Sequence, residues 1–178
     1  MTLTKQKFLS DEELEATFKL LNKHKGTRDS ILIRLALFSG ARSCEVLQVK
    51  PKDLDSNTVT IFGAKGSNDR TVPLPPEYFN ELQEFIQVAG IKSDELVFPI
   101  TTRHFRRIWS EWRPASKPKL HGIRHTLGVN FYRSTSDIHA TKTLLGHRSY
   151  QSTFVYLDYV EGADLLAEKI KSVFKKYG

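Results

Sequence analysis

Cysteine is nearly absent. Cys44 stands alone in 178 residues, which excludes an internal disulfide and a thiolate zinc cluster. Its place in an apolar helical run reads as core packing. No apolar run is long enough for a membrane helix, and no signal peptide or lipidation signal is visible, so a cytoplasmic chain is expected. There is no internal repeat, low-complexity tract or linker. The whole chain, residues 1–178, therefore reads as a single domain long enough for a real core. Acids are in deficit, with 20 Asp and Glu against 27 Lys and Arg and a net charge of +7. That balance favours a polyanionic partner such as nucleic acid, although an ordinary basic soluble protein has it too.

What is present reads mostly as helix. Ser10 to Glu13 forms a capping box that opens a helix to about Lys25, behind a short polar lead. Residues 28–38 are apolar almost all round and predict a central helix. Gly40 then turns the chain, and Arg42 starts a short helix from which a side chain can project into a cleft. Residues 58–62 and 70–74 are β-branched runs that predict a hairpin with Lys65, Gly66, Asn68 and Arg70 at its tip. By position and charge alone that tip is an ordinary solvated turn. A helix follows from Pro75 or Pro76 to about Ala89, and Leu96 to Phe98 suggest a further short strand. Phe105, Ile108, Trp109 and Trp112 then recur at helical spacing. Arg103, Arg106, Arg107 and Arg113 occupy the reverse of that helix. Such a stripe fits a helix lying along phosphates, or simply a solvated basic face. The fold class is mainly α with a small antiparallel β hairpin, an α+β arrangement.

The densest chemistry lies between His121 and Tyr159. His121, Arg124 and His125 fall on one helical face, with Ile123, Leu127 and Phe131 spaced to pack the other. Gly146 ends the next helix as a left-handed cap and turns His147 back toward the same region. The following segment presents Tyr150, Tyr156 and Tyr159. Cationic and protonatable groups facing a phenol suggest an anion, and a phosphodiester fits best. Three histidines also raise the thought of zinc, but neither cysteine nor a third-ligand helix pattern supports it. The tail, residues 162–176, is an amphipathic helix with Leu166, Ile170, Val173 and Phe174 on one side.

Four segments in this order resemble the catalytic domain of a tyrosine recombinase of the phage integrase family. Gly40–Glu45 resembles the first arginine box, and Lys65 stands at the hairpin lysine position. His121-Gly-Ile-Arg124-His125 resembles the second box. Leu145-Gly-His147, with Tyr156 nine residues on, resembles the last box and its nucleophile. Each box alone is weak, but the ordered set, spread over residues 8–160, is specific. Val49, Gly122 and Ile123 depart from the commonest family residues without touching the chemistry. The core-binding domain that most members carry ahead of this one is not seen, so the chain is expected to be either a catalytic domain alone or a minimal recombinase.

The resemblance implies DNA strand cleavage and rejoining without metal or other cofactor. Tyr156 would attack the scissile phosphorus and form a 3′-phosphotyrosyl bond. Arg42 and Arg124 would hold the non-bridging oxygens, and Lys65 would protonate the leaving 5′ oxygen. His121 and His147 would hydrogen-bond the phosphate, one of them receiving the phenolic proton, with His125 as a buttress. Arg103, Arg106 and Arg107 would contact DNA. The implied partners are double-stranded DNA, so that the chain associates with the nucleoid, and further copies of itself. These would form a tetramer on DNA that exchanges the tail helix, the free chain being a monomer. A topoisomerase of type IB and a non-catalytic DNA-binding accessory protein of the same fold are the alternatives.

Overall fold

The computed structural model describes residues 3–64, 66–114, 118–160 and 170–175. Helix α1 (Asp11–Lys23) begins at the expected capping box. The Ser10 side chain accepts from the Glu13 N–H at 3.2 Å, and the Glu13 carboxylate accepts from the Ser10 N–H at 2.8 Å. The helix ends two residues before the expected Lys25. Helix α2 (Arg28–Ser39) runs through the core, with Ile31, Leu32, Ile33 and Leu35 fully buried. A helix apolar on every side has no face to give to water, so its neighbours pack all around it. Beyond its first turn its one charge, Arg34, is also buried and forks onto Glu81 of α4 (Pro76–Val88), with Nη1 2.8 Å from Oε2.

After Gly40, α3 (Ser43–Val46) leads to a three-stranded antiparallel sheet in the order β1-β2-β3. The sheet comprises β1 (Leu54–Asp55), β2 (Thr58–Ile61) and β3 (Arg70–Pro73). Val59 faces Val72 and Ile61 faces Arg70. The sequence pattern predicts β2 and β3 but not β1, whose two residues are too few to show a period. Ser56 and Asn57, both at positive φ, make the tight turn that pairs it with β2.

Three further expectations are corrected. Leu96 to Phe98 form no strand. Val97 donates one hydrogen bond to the Val49 carbonyl at 3.0 Å, and Pro99 has no N–H with which to extend a ladder. Cys44 is exposed, because α3 is a single turn at the surface. The lead is not merely polar: Leu3, Phe8 and Leu9 are buried, and the Leu9 N–H donates to the Thr126 hydroxyl at 2.9 Å.

Helix α5 (Thr102–Trp112) buries Phe105, Ile108 and Trp109. Three helices then close the molecule: α6 (His121–Thr135), α7 (Ile138–Leu145) and α8 (Gln151–Val160). Helix α6 is buried on more sides than its apolar spacing suggests, at Gly122, Ile123, Arg124, Thr126, Gly128, Val129 and Tyr132. Phe131, expected to face inward, is only half-buried. A small second core of Leu3, Phe8, Val129, Tyr132, Leu145 and Tyr156 joins the lead, α6, α7 and α8. Of the expected tail helix, residues 170–174 are helical with Ile170, Val173 and Phe174 exposed, and Leu166 lies outside the described residues. Among the described residues, no helix is long and apolar enough to cross a membrane.

Candidate active site

A cavity of about 300 Å³ is lined by Arg42, His121, Arg124, His125, His147 and Tyr156, with Leu3, Lys7 and residues of α8 completing it. Among the described residues, no carboxylate lines it. The fold thus gathers residues from four separated segments around one space whose charged side chains, Lys7, Arg42 and Arg124, are all basic, and such a lining favours an anionic occupant.

Each cation is held differently. The Arg124 guanidinium is buried and donates to the Gly40 carbonyl at 2.7 Å and the Leu145 carbonyl at 2.6 Å. It therefore ties α6 to both flanking turns. Burial, with repulsion from Arg42 and Arg70, draws it down to about 10, which leaves it a cation at neutral pH. Arg42 caps α3: its backbone N–H donates to Glu45 Oε2 at 2.9 Å, and its Nη1 lies 3.2 Å from Glu45 Oε1. Arg70, buried on β3, donates from Nη2 to Glu45 Oε2 at 3.0 Å. Burial works against ionising Glu45. The Arg42 N–H and the charge and hydrogen bond of Arg70 outweigh it and hold the carboxyl below its usual range.

Glu45 is therefore a hub behind the cavity. Its Oε1 also accepts the Ala64 N–H at 3.2 Å, which fastens the hairpin to the first arginine segment. The other side of the hairpin is fastened to the last segment: the Asn68 N–H donates to the Gly146 carbonyl at 2.9 Å, and Ser67 bridges His147. Gly146 suits this contact twice over. Its φ is +66°, and a Cβ there would stand 2.8 Å from the Asn68 carbonyl oxygen and 2.9 Å from Arg70 Nη1. Lys65 itself lies outside the described residues.

The three imidazoles are neutral at neutral pH. His147 is pushed down to about 3 by burial and by Arg124, Arg42 and Arg70. Its Nδ1 lies 2.8 Å from the Thr153 hydroxyl, which leaves Nε2 for the cavity. His125 is pushed down to about 4 by burial, with His121, Arg124 and Lys7 adding repulsion. His121, at the rim, is lowered by partial burial and by Arg124 and Arg42. The His121 and His125 rings meet edge to face at 4.6 Å.

Among the three tyrosines the geometry discriminates sharply. Tyr156 is 1% exposed and lines the cavity, its ring parallel to that of His147 at 6.3 Å. Its hydroxyl lies 3.1 Å from His125 Nδ1. Burial pushes the phenol up to about 12 despite the pull of Arg124 and Arg42. Tyr150 is turned to the surface, bonded to His139 at 2.7 Å, and Tyr159 packs edge-on against Phe8.

A wider cleft of about 620 Å³ adjoins this cavity and shares Arg42, His121 and Arg124 with it. Arg106, Arg113 and Lys119 line it, so one edge of the arginine-rich face of α5 runs into the site. Arg103 and Arg107 are exposed on the same helix but outside the cleft, Arg107 lying 3.2 Å from His104. Sequence reasoning missed the roles of Glu45, Arg70 and Thr153 and the contact between His125 and the phenol. Only Glu45 had a local signal, three residues after Arg42 on a helical turn.

Known proteins resemble this chain in sequence and fold. Tyrosine recombinase XerC of Staphylococcus aureus (strain bovine RF122 / ET3-1) is 30% identical over 84% of this chain and 55% of its own length. XerC of Staphylococcus carnosus (strain TM300) is 28% identical, with 84% and 56% covered. The chain thus spans about half the length of the curated relatives it matches. The crystal structure of XerH site-specific recombinase bound to palindromic difH substrate, a post-cleavage complex, matches with a TM-score of 0.73. It is 26% identical, covering 92% of this chain and 52% of that one. The catalytic domain of bacteriophage HP1 integrase matches at 0.65 and 24% identity, covering 91% of this chain and 93% of that one, a likeness of fold. The model of the phage integrase family matches residues 7–161, and this chain, with its tyrosine recombinase catalytic-domain fold, belongs to that family.

Proposed function

We propose that this chain is a site-specific recombinase that cuts and rejoins DNA strands by transesterification, its whole length acting as one catalytic domain. The observation that carries this is the seating of Tyr156 in the same basic cavity as Arg42, Arg124, His121 and His147. The phenol oxygen of Tyr156 attacks phosphorus. The O–P bond forms, the bond to the 5′ oxygen breaks, and Lys65 supplies the proton that turns that oxygen into a hydroxyl. Arg42 and Arg124 face the non-bridging oxygens, where charge builds in the transition state. A planar guanidinium fork that stays ionised suits that task. His121 and the free Nε2 of His147 donate to the same oxygens. Because the bond energy is kept in the phosphotyrosine, reversal by a 5′ hydroxyl rejoins the strand with side chains of this chain alone.

DNA is the partner the surface suits. Arg106 extends the cationic site along α5, with Arg103 and Arg107 as outer phosphate contacts. The XerH relative is a site-specific recombinase bound to its difH substrate, and the curated relatives are tyrosine recombinases, which favours recombination over relaxation by a topoisomerase or binding alone. Assembly as a tetramer on DNA, with the tail passed between copies, is supported by the exposed Ile170, Val173 and Phe174. The test is incubation with a nicked duplex that traps the covalent intermediate, read on a denaturing gel. The chain should form an adduct mapping to Tyr156, and Tyr156→Phe should form none while still binding. An adduct at Tyr150 or Tyr159, or none, overturns the reading.

A further inference from the structure

The geometry points to His125, rather than His121 or His147, as the catalytic residue that takes the phenolic proton from Tyr156; this rests on the recombinase reading and deepens it. Three observations converge. His125 Nδ1 stands 3.1 Å from the phenol oxygen, within reach for direct transfer. His147 instead lies parallel to the phenol ring, with its own Nδ1 taken up by Thr153. His121 is a step further out, its ring packed edge to face on that of His125. The third observation is the seat of the ring. Gly128, one turn along α6 from His125, leaves a bare patch of backbone, and a Cβ there would stand 2.6 Å from Tyr156 Cζ. One helix thus supplies both the bed for the phenol and the nitrogen at its tip.

The surroundings of His125 explain how transfer is coupled to DNA. It faces Arg124 and His121 on α6, Lys7 on the N-terminal turn, His147 before α8 and Tyr156 itself. Burial, with repulsion from Arg124 and Lys7, keeps the imidazole an unprotonated acceptor and makes its protonated form a strong acid. With no anion beside them, transfer from a buried phenol to this imidazole is uphill. A phosphodiester brings negative charge between the cations and raises the affinity of His125 for a proton, so the nucleophile is activated only when the substrate is seated. The proton leaves Tyr156 Oη for His125 Nδ1 as the Oη–P bond forms. On rejoining it returns to Oη as that bond breaks.

The test uses the full chain and a nicked duplex selected for binding to it from a random-sequence pool. Two forms are prepared, one with oxygen and one with sulfur at the bridging 5′ position. A thiolate leaves without a proton, so the sulfur form isolates activation of the nucleophile. His125→Ala should slow single-turnover adduct formation by about 10²–10³-fold on both forms. Added imidazole should restore part of the rate in proportion to its unprotonated fraction, and His125→Gln should remain slow. In the unaltered chain, ¹⁵N NMR at neutral pH should show His125 Nδ1 without a proton, a readout that does not depend on any variant folding. The assignment is overturned by a proton on Nδ1, by recovery in His125→Gln, or by a His125→Ala protein as fast as or faster than the parent. It is also overturned if His121→Ala is the variant that imidazole rescues. Failure of the parent chain to form any adduct would instead bring down the recombinase reading itself, and this assignment with it.

Discussion

Alanine at position 128 moves the nucleophile while leaving every candidate catalytic side chain chemically unaltered. A Cβ on Gly128 would stand 2.6 Å from Cζ, 2.7 Å from Cε1 and 3.0 Å from Cε2 of Tyr156. Ordinary contact begins near 3.4 Å, so the ring must withdraw by about 0.8 Å (3.4 less 2.6). It has little room, being packed with Phe8, Val129 and Leu145 in the second core. A withdrawal of that size along the hydrogen bond would stretch its 3.1 Å to about 3.9 Å, beyond bonding range. Two energies oppose each other. Alanine gains about 1 kcal/mol over glycine inside a helix, and overpacking costs about 1–3 kcal/mol. Stability should therefore change by at most about 2 kcal/mol, and the protein should stay folded. A reacting group displaced by ~1 Å, in contrast, costs about 10²-fold in rate. Single-turnover adduct formation, measured beside urea denaturation of the same protein, separates the two effects. A folded Gly128→Ala protein that forms adduct at the parental rate would refute the idea that the bed on α6 sets the reactive position of the phenol.

Other consequences follow from the charges. Glu45→Gln leaves Arg42 and Arg70 without the carboxylate between them, and breaking a buried pair in this way costs about 3–5 kcal/mol; a denaturation midpoint unchanged in urea would contradict it. Stability should fall on acidification from about pH 6.5 toward 4. His125 and His147 stay neutral in the native state while their unfolded counterparts protonate, so the unfolded chain binds up to two more protons. That makes the loss at most about 2.7 kcal/mol per pH unit, and flat stability across the window would refute it. Binding to a short duplex should weaken steeply with salt, and Arg106→Ala should reduce the logarithmic slope by about 1. An unchanged slope would remove Arg106 from the phosphate contacts.

The sequence by itself determined the helices, the hairpin and the family. Caps, breaks and apolar periods are local, and the four boxes are short stretches that, weak one by one, point to the family as an ordered set. The order of those boxes also identified Arg42, Arg124, His121, His147 and Tyr156 as one set. Only the tertiary structure decided what surrounds each of them. Glu45 meets Arg70 across 25 positions, Arg124 reaches a carbonyl 84 positions away, and the lead expected to be polar covers the phenol. The same is true of His125, which reads as a buttress beside Arg124 until α8 lays Tyr156 against it. A proton affinity depends on desolvation and on nearby charge. Both are set by which distant segments meet, and that is written in the packing of the whole chain rather than in any one stretch of it.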